Sequence, residues 1–419
     1  MEFKKKKLAC YLSFILLCYC QKSNSDINPY QNVYGVNLAP AQKVGRMPSV
    51  YSSDGPLIKV RLAKNLPFAT ISGRDIDRNI YPSKDAKKFY GDKSVRFNCL
   101  LANPNLAKKE GHILLASLNS ASGLLDFDVK KFSGKIHILA DTEGKGCDVV
   151  NETSMEQYLS TVLSKEMNAT WPIEVLKAQA VAARSYGVNK IETTNMLKVI
   201  GKNKFFDLES SEKDQVSGQV GDSTLKTLQA TNDTKGEVLF DSTGKLGPIF
   251  YHAKCGGKTI LPSEVWDNHV VGYKAVECPY CYNKGPRKWE LHLSLLRMRS
   301  FLKWYLNKNG KSFLAENLDN KKIIIAPDKH STNRLIIYLG QDALILTKPI
   351  LRKYFGRVEL PSNNFVIYPV GNNFVFLGDG LGHGVGLCQL GALELANRGL
   401  NYRQILAYYF PTHVIKKIY

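Results

Sequence analysis

An alanine-rich segment in the middle of the chain constrains the fold more than any other feature. Four of the six residues from Ala178 to Ala183 are alanine, within a stretch that runs from Pro172 to about Lys190. Pro172 suits the first turn of a helix, because the amide hydrogen that proline lacks has no partner there. Glu174 interacts favourably with the helix dipole in that turn. Since small side chains let other elements approach closely, we predict a buried central helix.

The flanking sequence predicts further helices mixed with strands. From Glu156 to about Met167, apolar residues recur at three- and four-residue steps, which is typical of an amphipathic helix. Other helices are predicted at 293–306, from about 387, and after Asn401, where Gln404 completes a capping box. Residues 192–236 are polar and irregular. Alternating or apolar runs predict strands at 58–62, 113–118, 136–140, 237–240, 249–251, 323–325 and 335–339. The fold class is therefore α+β, with short strands flanking a central helical core.

The first fifty residues predict export. Lys4–Lys7 form a basic region, and Leu8–Tyr19 form an apolar region of the length of a secretory signal, which is short for a membrane span. We predict a signal at 1–20 and a polar tether at 21–50, with membrane association through the N-terminus. Lipidation of Cys18 or Cys20 would make the protein a membrane-anchored lipoprotein of the cell envelope, although neither follows a small residue. An ordinary signal peptide or an uncleaved anchor is the alternative.

The net charge of the chain is +20, which indicates an anionic partner or a lysine-rich solvated surface. The sequence has no C2H2 zinc-finger spacing, no RNA-binding aromatic motif and no arginine-rich recognition helix. We therefore expect no nucleic-acid partner.

Two short ligand pairs predict a zinc site. His252 and Cys255 have two residues between them, as do Cys278 and Cys281, and 22 residues separate the pairs. Such spacing lets both members of a pair reach one tetrahedral zinc ion. Four protein ligands would leave no position for water, so the zinc would be structural. A disulfide or redox pair between Cys278 and Cys281 is the alternative.

Three cysteines remain outside that cluster and the signal. Cys99, Cys147 and Cys388 have no assigned role, and a bond between the first two in an oxidising compartment stays an open alternative.

A single carboxyl group before the central helix is a candidate general acid. Glu166 ends the predicted amphipathic helix, near Trp171. Apolar and aromatic surroundings disfavour the charged form of a carboxyl group and raise its pKa, which suits an acid that protonates a glycosidic oxygen. The competing interpretation is a solvated glutamate paired with a neighbour such as Lys165.

Two blocks of the chain resemble the SpoIID/LytB family of cell-wall proteins. The first has the family's Glu-Met and Trp-Pro pairs at Glu166-Met167 and Trp171-Pro172, then Leu-Lys-Ala-Gln-Ala-Val-Ala-Ala-Arg at Leu176–Arg184 and an aromatic residue at Tyr186. The second is the Gly-His-Gly-Val-Gly block that begins at Gly382. The family's closing Tyr-Tyr-Pro is altered here, because Phe410 precedes the proline. Weaker matches include Asn151, Asp207-Leu208, Asp214-Gln215, Gly236–Leu239 and Gly256–Thr259.

The resemblance implies a lytic transglycosylase that acts on peptidoglycan glycan strands, with Glu166 as its acid and a 1,6-anhydro sugar end as its product. Denuded strands, which lack stem peptides, are an open alternative substrate. The candidate substrate-binding residues are Lys177, Arg184, Tyr186, His383 and Gln389. The resembling domain is expected at 51–419, with a β-rich part at 51–150, a catalytic core at 151–290 and a C-terminal part at 291–419.

Three alternative functions remain open. A pair of carboxylates would hydrolyse the strand with water, and Glu174 and Asp207 are the nearest candidates for the second carboxylate. A non-catalytic protein of the same fold would bind glycan or modify an amidase partner. A zinc amidase would use His252 and the cysteines as a catalytic metal site.

Overall fold

A computed structural model of the 419-residue chain describes residues 55–99, 112–140, 146–199, 204–211, 214–266, 269–282, 284–285 and 288–419. The predicted signal peptide and tether lie outside these residues. All of the described residues belong to one compact unit, Lys43–Tyr419. Helices and strands are mixed along it, so the predicted α+β class is confirmed. In the described ranges, no helix is both long enough and apolar enough to cross a membrane.

The N-terminal part is a nine-stranded sheet in the order β6-β5-β2-β4-β7-β8-β1-β9, with β3 paired to β2. The pairs are antiparallel except for β1 and β9. The strands are β1 (Leu57–Leu66), β2 (Phe68–Ile80), β3 (Asp85–Asn98), β4 (Ile113–Ser120), β5 (Leu124–Phe127), β6 (Lys130–Ser133), β7 (Lys135–Ala140), β8 (Cys147–Ser154) and β9 (Leu208–Glu209). Since β2 has 13 residues and β3 has 14, these strands are longer than the short strands that the sequence predicts.

One face of this sheet buries an aliphatic core that includes Ile71, Leu118 and Val149. A disulfide bond joins Cys99, just after β3, to Cys147 at the start of β8. The pairing that the sequence leaves open therefore exists, and it closes a loop of 48 residues.

Three helices follow the sheet: α1 (Met155–Glu166), α2 (Ile173–Val199) and α3 (Leu225–Asp233). Ser154 begins α1 by accepting a hydrogen bond from the amide of Gln157. The prediction of a buried central helix is confirmed, because α2 is buried almost continuously from Val175 to Val188, and it extends nine residues beyond the predicted end. The strands β10 (Glu237–Phe240) and β11 (Tyr251–His252) come after α3.

Residues 289–378, hereafter the 289–378 lobe, form a separate cluster around Phe301, Leu302, Ile337 and Phe376. The lobe contains two three-stranded antiparallel sheets, β12-β17-β16 and β13-β14-β15. Its elements are β12 (Trp289–Ser294), α4 (Leu295–Lys308), α5 (Ser312–Glu316), β13 (Ile323–Asp328), β14 (Ser331–Leu339), β15 (Asp342–Thr347), α6 (Lys348–Phe355), β16 (Phe365–Val370) and β17 (Asn373–Gly378).

The last residues return to the helical core. They form β18 (Leu387–Cys388), α7 (Gln389–Asn397), α8 (Tyr402–Tyr409) and β19 (Val414–Lys417). β18 pairs with β11, and β19 pairs with β10. The predicted capping box of Asn401 and Gln404 is present at the start of α8. The C-terminal part therefore divides into the 289–378 lobe and a segment that completes the core.

Candidate functional site

A cavity of about 930 Å³ lies where the helical core faces the 289–378 lobe. Side chains from three parts of the chain line it. Glu166, Tyr186, Asp214, Gln215 and Val216 come from the helical core and its following loop. The second group, from around β11 and the Gly-His-Gly turn, includes Phe250, Tyr251, His252, Trp266, Gly382 and His383. The third, from the lobe, includes Thr347, Ile350, Arg352, Lys353 and Arg357.

Glu166 is placed in this cavity by the end of α1. Burial raises the pKa of its carboxyl group, and a hydrogen bond from the amide of Val216, at 3.4 Å, opposes the shift only partly. Burial raises the pKa of the Tyr158 and Tyr251 hydroxyls, and a negative charge on Glu166 would raise both further. Trp171 is not among the described residues that line the cavity, where Tyr186, Phe250, Tyr251 and Trp266 supply the aromatic surroundings. These surroundings therefore favour the protonated form of Glu166, which proton donation requires.

Asp214 is a second carboxyl group in the same cavity, and it is shifted in the opposite direction. Burial would raise its pKa, but hydrogen bonds from the Glu209 amide (3.0 Å), the Lys190 ammonium group (2.8 Å) and the Tyr186 hydroxyl (2.7 Å) outweigh burial, so the pKa is lowered. Both carboxylate oxygens of Asp214 accept hydrogen bonds from these donors. Two carboxyl groups whose pKa values are shifted in opposite directions within one site are typical of sites in which one group acts as the acid and the other as the base.

Two histidines in the cavity are held neutral. Burial lowers the pKa of His252 to about 4 and that of His383 well below its ordinary value. The Nδ1 atom of His383 accepts a hydrogen bond from the Val385 amide at 3.1 Å. The Nδ1 atom of His252 lies 3.0 Å from the Val385 carbonyl, so it carries the proton, and Nε2 is a buried acceptor without a partner in the described part of the chain. Both rings can accept or donate hydrogen bonds, but neither carries charge.

Three of the predicted substrate-binding residues do not line the cavity. Arg184 is fully buried and forms a bidentate ion pair with Glu156 (2.9 and 2.7 Å), so its guanidinium group holds α2 to α1. Lys177 is paired with Glu174 and Asp233 on the outer side of α2. For these two residues the structure supports a structural role in place of glycan contact.

Gln389 is also buried at the start of α7. Its side-chain amide donates to the side-chain oxygen Oε1 of Gln179 at 3.5 Å and so joins α7 to α2. Tyr186 and His383 are the two predicted substrate-binding residues that the structure brings together with Glu166.

Glu174 and Asp207, the candidates for the second carboxylate of a hydrolytic pair, do not line this cavity. Glu174 accepts a hydrogen bond from the Tyr402 amide at 2.8 Å, and Asp207 accepts one from the Lys59 amide at 2.9 Å. Asp214, which the sequence offers only as part of a weak match, is the second carboxylate in the cavity. Its immediate context, Lys213-Asp214-Gln215, contains no local signal of that placement.

Four buried cysteines form a separate cluster. The Sγ atoms of Cys255, Cys278, Cys281 and Cys388 all lie within 4.8 Å of one another, and none of them is in a disulfide bond. Hydrogen bonding from Cys255 lowers the pKa of Cys281 and favours its thiolate, the form that binds metal. Four thiolates are a donor set that suits a closed tetrahedral zinc site.

The fourth member of this cluster is Cys388, where the sequence predicts His252. The parallel strands β11 and β18 place His252 and Cys388 in direct register. The backbone amide of Cys255 donates to the Cys388 sulfur at 3.4 Å, whereas the imidazole of His252 turns to Val385 and the large cavity. The prediction of His252 as a ligand is therefore corrected, because a pairing between distant strands brings Cys388 to the cluster.

Comparison with known proteins places this α+β chain in a class of cell-wall-related proteins. Residues 143–240 match the family model described as SpoIID, stage II sporulation protein. The chain is 32% identical to an uncharacterized protein of Brachyspira hyodysenteriae over 62% of this chain and 66% of that protein. It is 26% identical to the amidase enhancer of Bacillus subtilis, over 70% of this chain and 45% of the relative.

A third relative is the stage II sporulation protein D of Bacillus subtilis, 24% identical over 62% of this chain and 74% of that protein. The chain belongs to the SpoIID/LytB family. It spans about two thirds of the Brachyspira relative and less than half of the amidase enhancer. The matched residues 143–240 include α1, α2 and the Asp214 loop, and therefore one side of the cavity.

Proposed function

We propose that this protein is a lytic transglycosylase that cleaves peptidoglycan glycan strands, with Glu166 as the proton donor. One observation supports this most strongly: the Glu166 carboxyl group has a raised pKa and lines a cavity of about 930 Å³, in which a polysaccharide segment fits. The family assignment supports a cell-wall role and a location in the cell envelope after export. Tyr186 and His383 are the candidate glycan contacts.

In this proposal Glu166 protonates the oxygen that leaves N-acetylmuramic acid, and the bond from that oxygen to C1 breaks. The sugar passes through an oxocarbenium-like transition state. Its own C6 hydroxyl oxygen then bonds to C1, and the hydroxyl proton returns to Glu166. The product is a 1,6-anhydro end, and no water is consumed. Because both oxygens of Asp214 already accept hydrogen bonds from protein donors, Asp214 is better suited to stabilise positive charge than to activate water.

The test is muropeptide mass spectrometry after incubation of sacculi with purified protein. Wild-type protein should release 1,6-anhydro products, and Glu166→Gln should reduce their release by at least about a hundredfold, the contribution expected of a general acid. Glu174→Gln is the matched control, since it makes the same chemical change in the same motif outside the cavity. Undiminished release by Glu166→Gln would disprove the assigned acid.

A second candidate is glycan binding without cleavage, in support of an amidase partner. The similarity to a relative named amidase enhancer favours it. It predicts that wild-type protein and Glu166→Gln bind sacculi equally and increase the release of stem peptides by a cell-wall amidase equally, with no new anhydro ends.

For the cysteine cluster we infer a structural zinc ion held by Cys255, Cys278, Cys281 and Cys388. The closed set of four sulfur ligands supports a structural role and disfavours a zinc amidase. Cys388→Ser should lower the zinc content measured by inductively coupled plasma mass spectrometry, whereas His252→Asn should retain about one zinc per chain. The reverse pattern would restore His252 as a ligand.

A further inference from the structure

The side of the large cavity that the 289–378 lobe forms is rich in positively charged residues. The 289–378 lobe contains thirteen lysines and arginines against six acidic residues. Three of these cations, Arg352, Lys353 and Arg357, line the cavity from α6 and the turn that follows it. This surface, hereafter the α6 wall, lies outside residues 143–240, which match the family model.

The α6 wall is held in place by its own backbone. The guanidinium group of Arg352 donates to the carbonyls of Leu360 (2.8 Å) and Pro361 (3.0 Å), which fixes the turn after α6. Lys353 and Arg357 are exposed to solvent at the cavity. In the described ranges, Lys353 has no ion pair with a carboxylate.

The positive charge of this wall acts inside the cavity. After burial and the neighbouring His252, the charges of Arg352 and Arg357 are among the causes that lower the pKa of His383. On the opposite side, the carboxylate of Asp214 is paired with the Lys190 ammonium group at 2.8 Å, which reduces the negative charge that faces the lobe. A ligand that fills the cavity therefore meets an excess of positive charge at the lobe.

We propose that Lys353 and Arg357 determine specificity by binding a carboxylate carried by the sugar strand. The inference rests on the proposed function, because it takes a glycan strand as the ligand. Two groups share this chemistry: the lactyl carboxylate of a peptide-free muramic acid and the carboxylates of a stem peptide. Guanidinium and ammonium groups bind either one through charge-assisted hydrogen bonds, whereas uncharged chitin-type sugars offer neither.

The test is equilibrium binding to three probes, measured by calorimetry with full-length Glu166→Gln protein so that no cleavage occurs. The probes are a chito-oligosaccharide without carboxylates, a peptide-free muramyl glycan and a peptide-bearing muramyl glycan of equal length. Lys353→Gln and Arg357→Gln should each weaken binding of a carboxylate-bearing glycan about two- to fivefold, and the double charge reversal Lys353→Glu/Arg357→Glu by about tenfold or more. Binding of the chito-oligosaccharide should change less than about twofold.

The control is Lys329→Glu, which reverses one positive charge on the lobe at an exposed position outside the cavity. It should leave the binding of all three probes unchanged. In cleavage assays with Glu166 intact, the α6-wall variants should raise KM and leave kcat nearly constant, because they remove binding shared by ground and transition states. Loss of affinity for only one of the two muramyl glycans identifies the source of the carboxylate.

Two results would overturn the inference. If the wild-type preference for carboxylate-bearing glycan is absent, or if the charge reversals weaken the chito-oligosaccharide equally, the α6 wall does not recognise carboxylates, and the proposed cleavage by Glu166 is unaffected. If no glycan binds to the wild-type protein, the proposed function fails together with this inference.

Discussion

Replacing Arg184 by methionine would remove a guanidinium group that is fully buried between α1 and α2. The group forms two hydrogen bonds to the carboxylate of Glu156 and donates to the carbonyls of Thr231 (3.1 Å) and Glu237 (3.2 Å). The hydroxyl of Tyr419, from the last residue of the chain, also donates to Glu156. The substitution thus leaves a mostly buried carboxylate without its counter-charge.

Breaking a buried ion pair on one side costs about 3–5 kcal/mol of unfolding free energy. The compact unit Lys43–Tyr419 has 377 residues, and an unfolding entropy of about 2.1 cal/mol/K per residue means that each kcal/mol lowers its melting temperature by about 1.3 °C. We therefore expect a fall of about 4–6 °C. The double variant Arg184→Met/Glu156→Leu should recover part of this loss, because it removes the uncompensated charge. Recovery should be incomplete, since each lost hydrogen bond costs about 1 kcal/mol. The groups that each lose one partner are the Thr231 and Glu237 carbonyls, the Thr234 and Tyr419 hydroxyls and the Gly236 amide.

The assay is thermal unfolding, followed by circular dichroism, of the wild type, both single variants and the double variant. Glycan affinity is measured below all four melting temperatures. We expect a positive coupling energy in the cycle and an affinity for glycan that Arg184→Met leaves unchanged. A melting temperature within about 2 °C of wild type, combined with weaker glycan binding, would refute the structural role and support the contact that the sequence predicts for Arg184.

Three further predictions follow from the same structure. Because burial raises the pKa of Glu166, kcat/KM should fall as pH rises through that pKa. The folded state at high pH holds a half-buried carboxylate, so Glu166→Gln should melt above wild type near pH 8 and equal to it near pH 3.5. Reduction of the Cys99–Cys147 disulfide, which closes a loop of 48 residues, should cost about 4 kcal/mol in denaturant titrations. Gly391→Ala should lower both zinc content and melting temperature, because the added Cβ would lie 2.6 Å from the Cys278 sulfur.

Local signals in the sequence were sufficient for much of the secondary structure. The helix predicted from Glu156 and the capping box of Asn401 and Gln404 both depend on residues within four positions of one another, and both are present. Helix α3 was missed inside a segment that was predicted to be irregular. It is rich in threonine and polar residues, and Thr224 caps it through a threonine partner, Thr227, where the usual signal is glutamate or glutamine.

The sequence predicted residues on the side of the cavity that one contiguous motif forms. Glu166 and Tyr186 lie 20 residues apart on α1 and α2, and both line the cavity. The α6 wall and Cys388 reach their sites through tertiary contacts between segments more than a hundred residues apart, which no spacing in the sequence reveals. Arg184 belongs to the same motif but does not line the cavity and is paired with Glu156, since a helix presents neighbouring residues to different partners.

The cavity has chemically different ends, and this difference bears on how a strand must lie in it. The pKa of Glu166 responds to burial and to the Val216 amide, whereas the pKa of His383 responds also to Arg352 and Arg357. A carboxylate bound beside Glu166 would raise the pKa of Glu166 further, because a neighbouring negative charge disfavours the ionised form. Glu166 would then hold its proton too tightly to transfer it. A carboxylate bound at the α6 wall is instead neutralised by cations. The arrangement therefore favours a strand whose scissile oxygen and charged substituent point to opposite sides of the cavity.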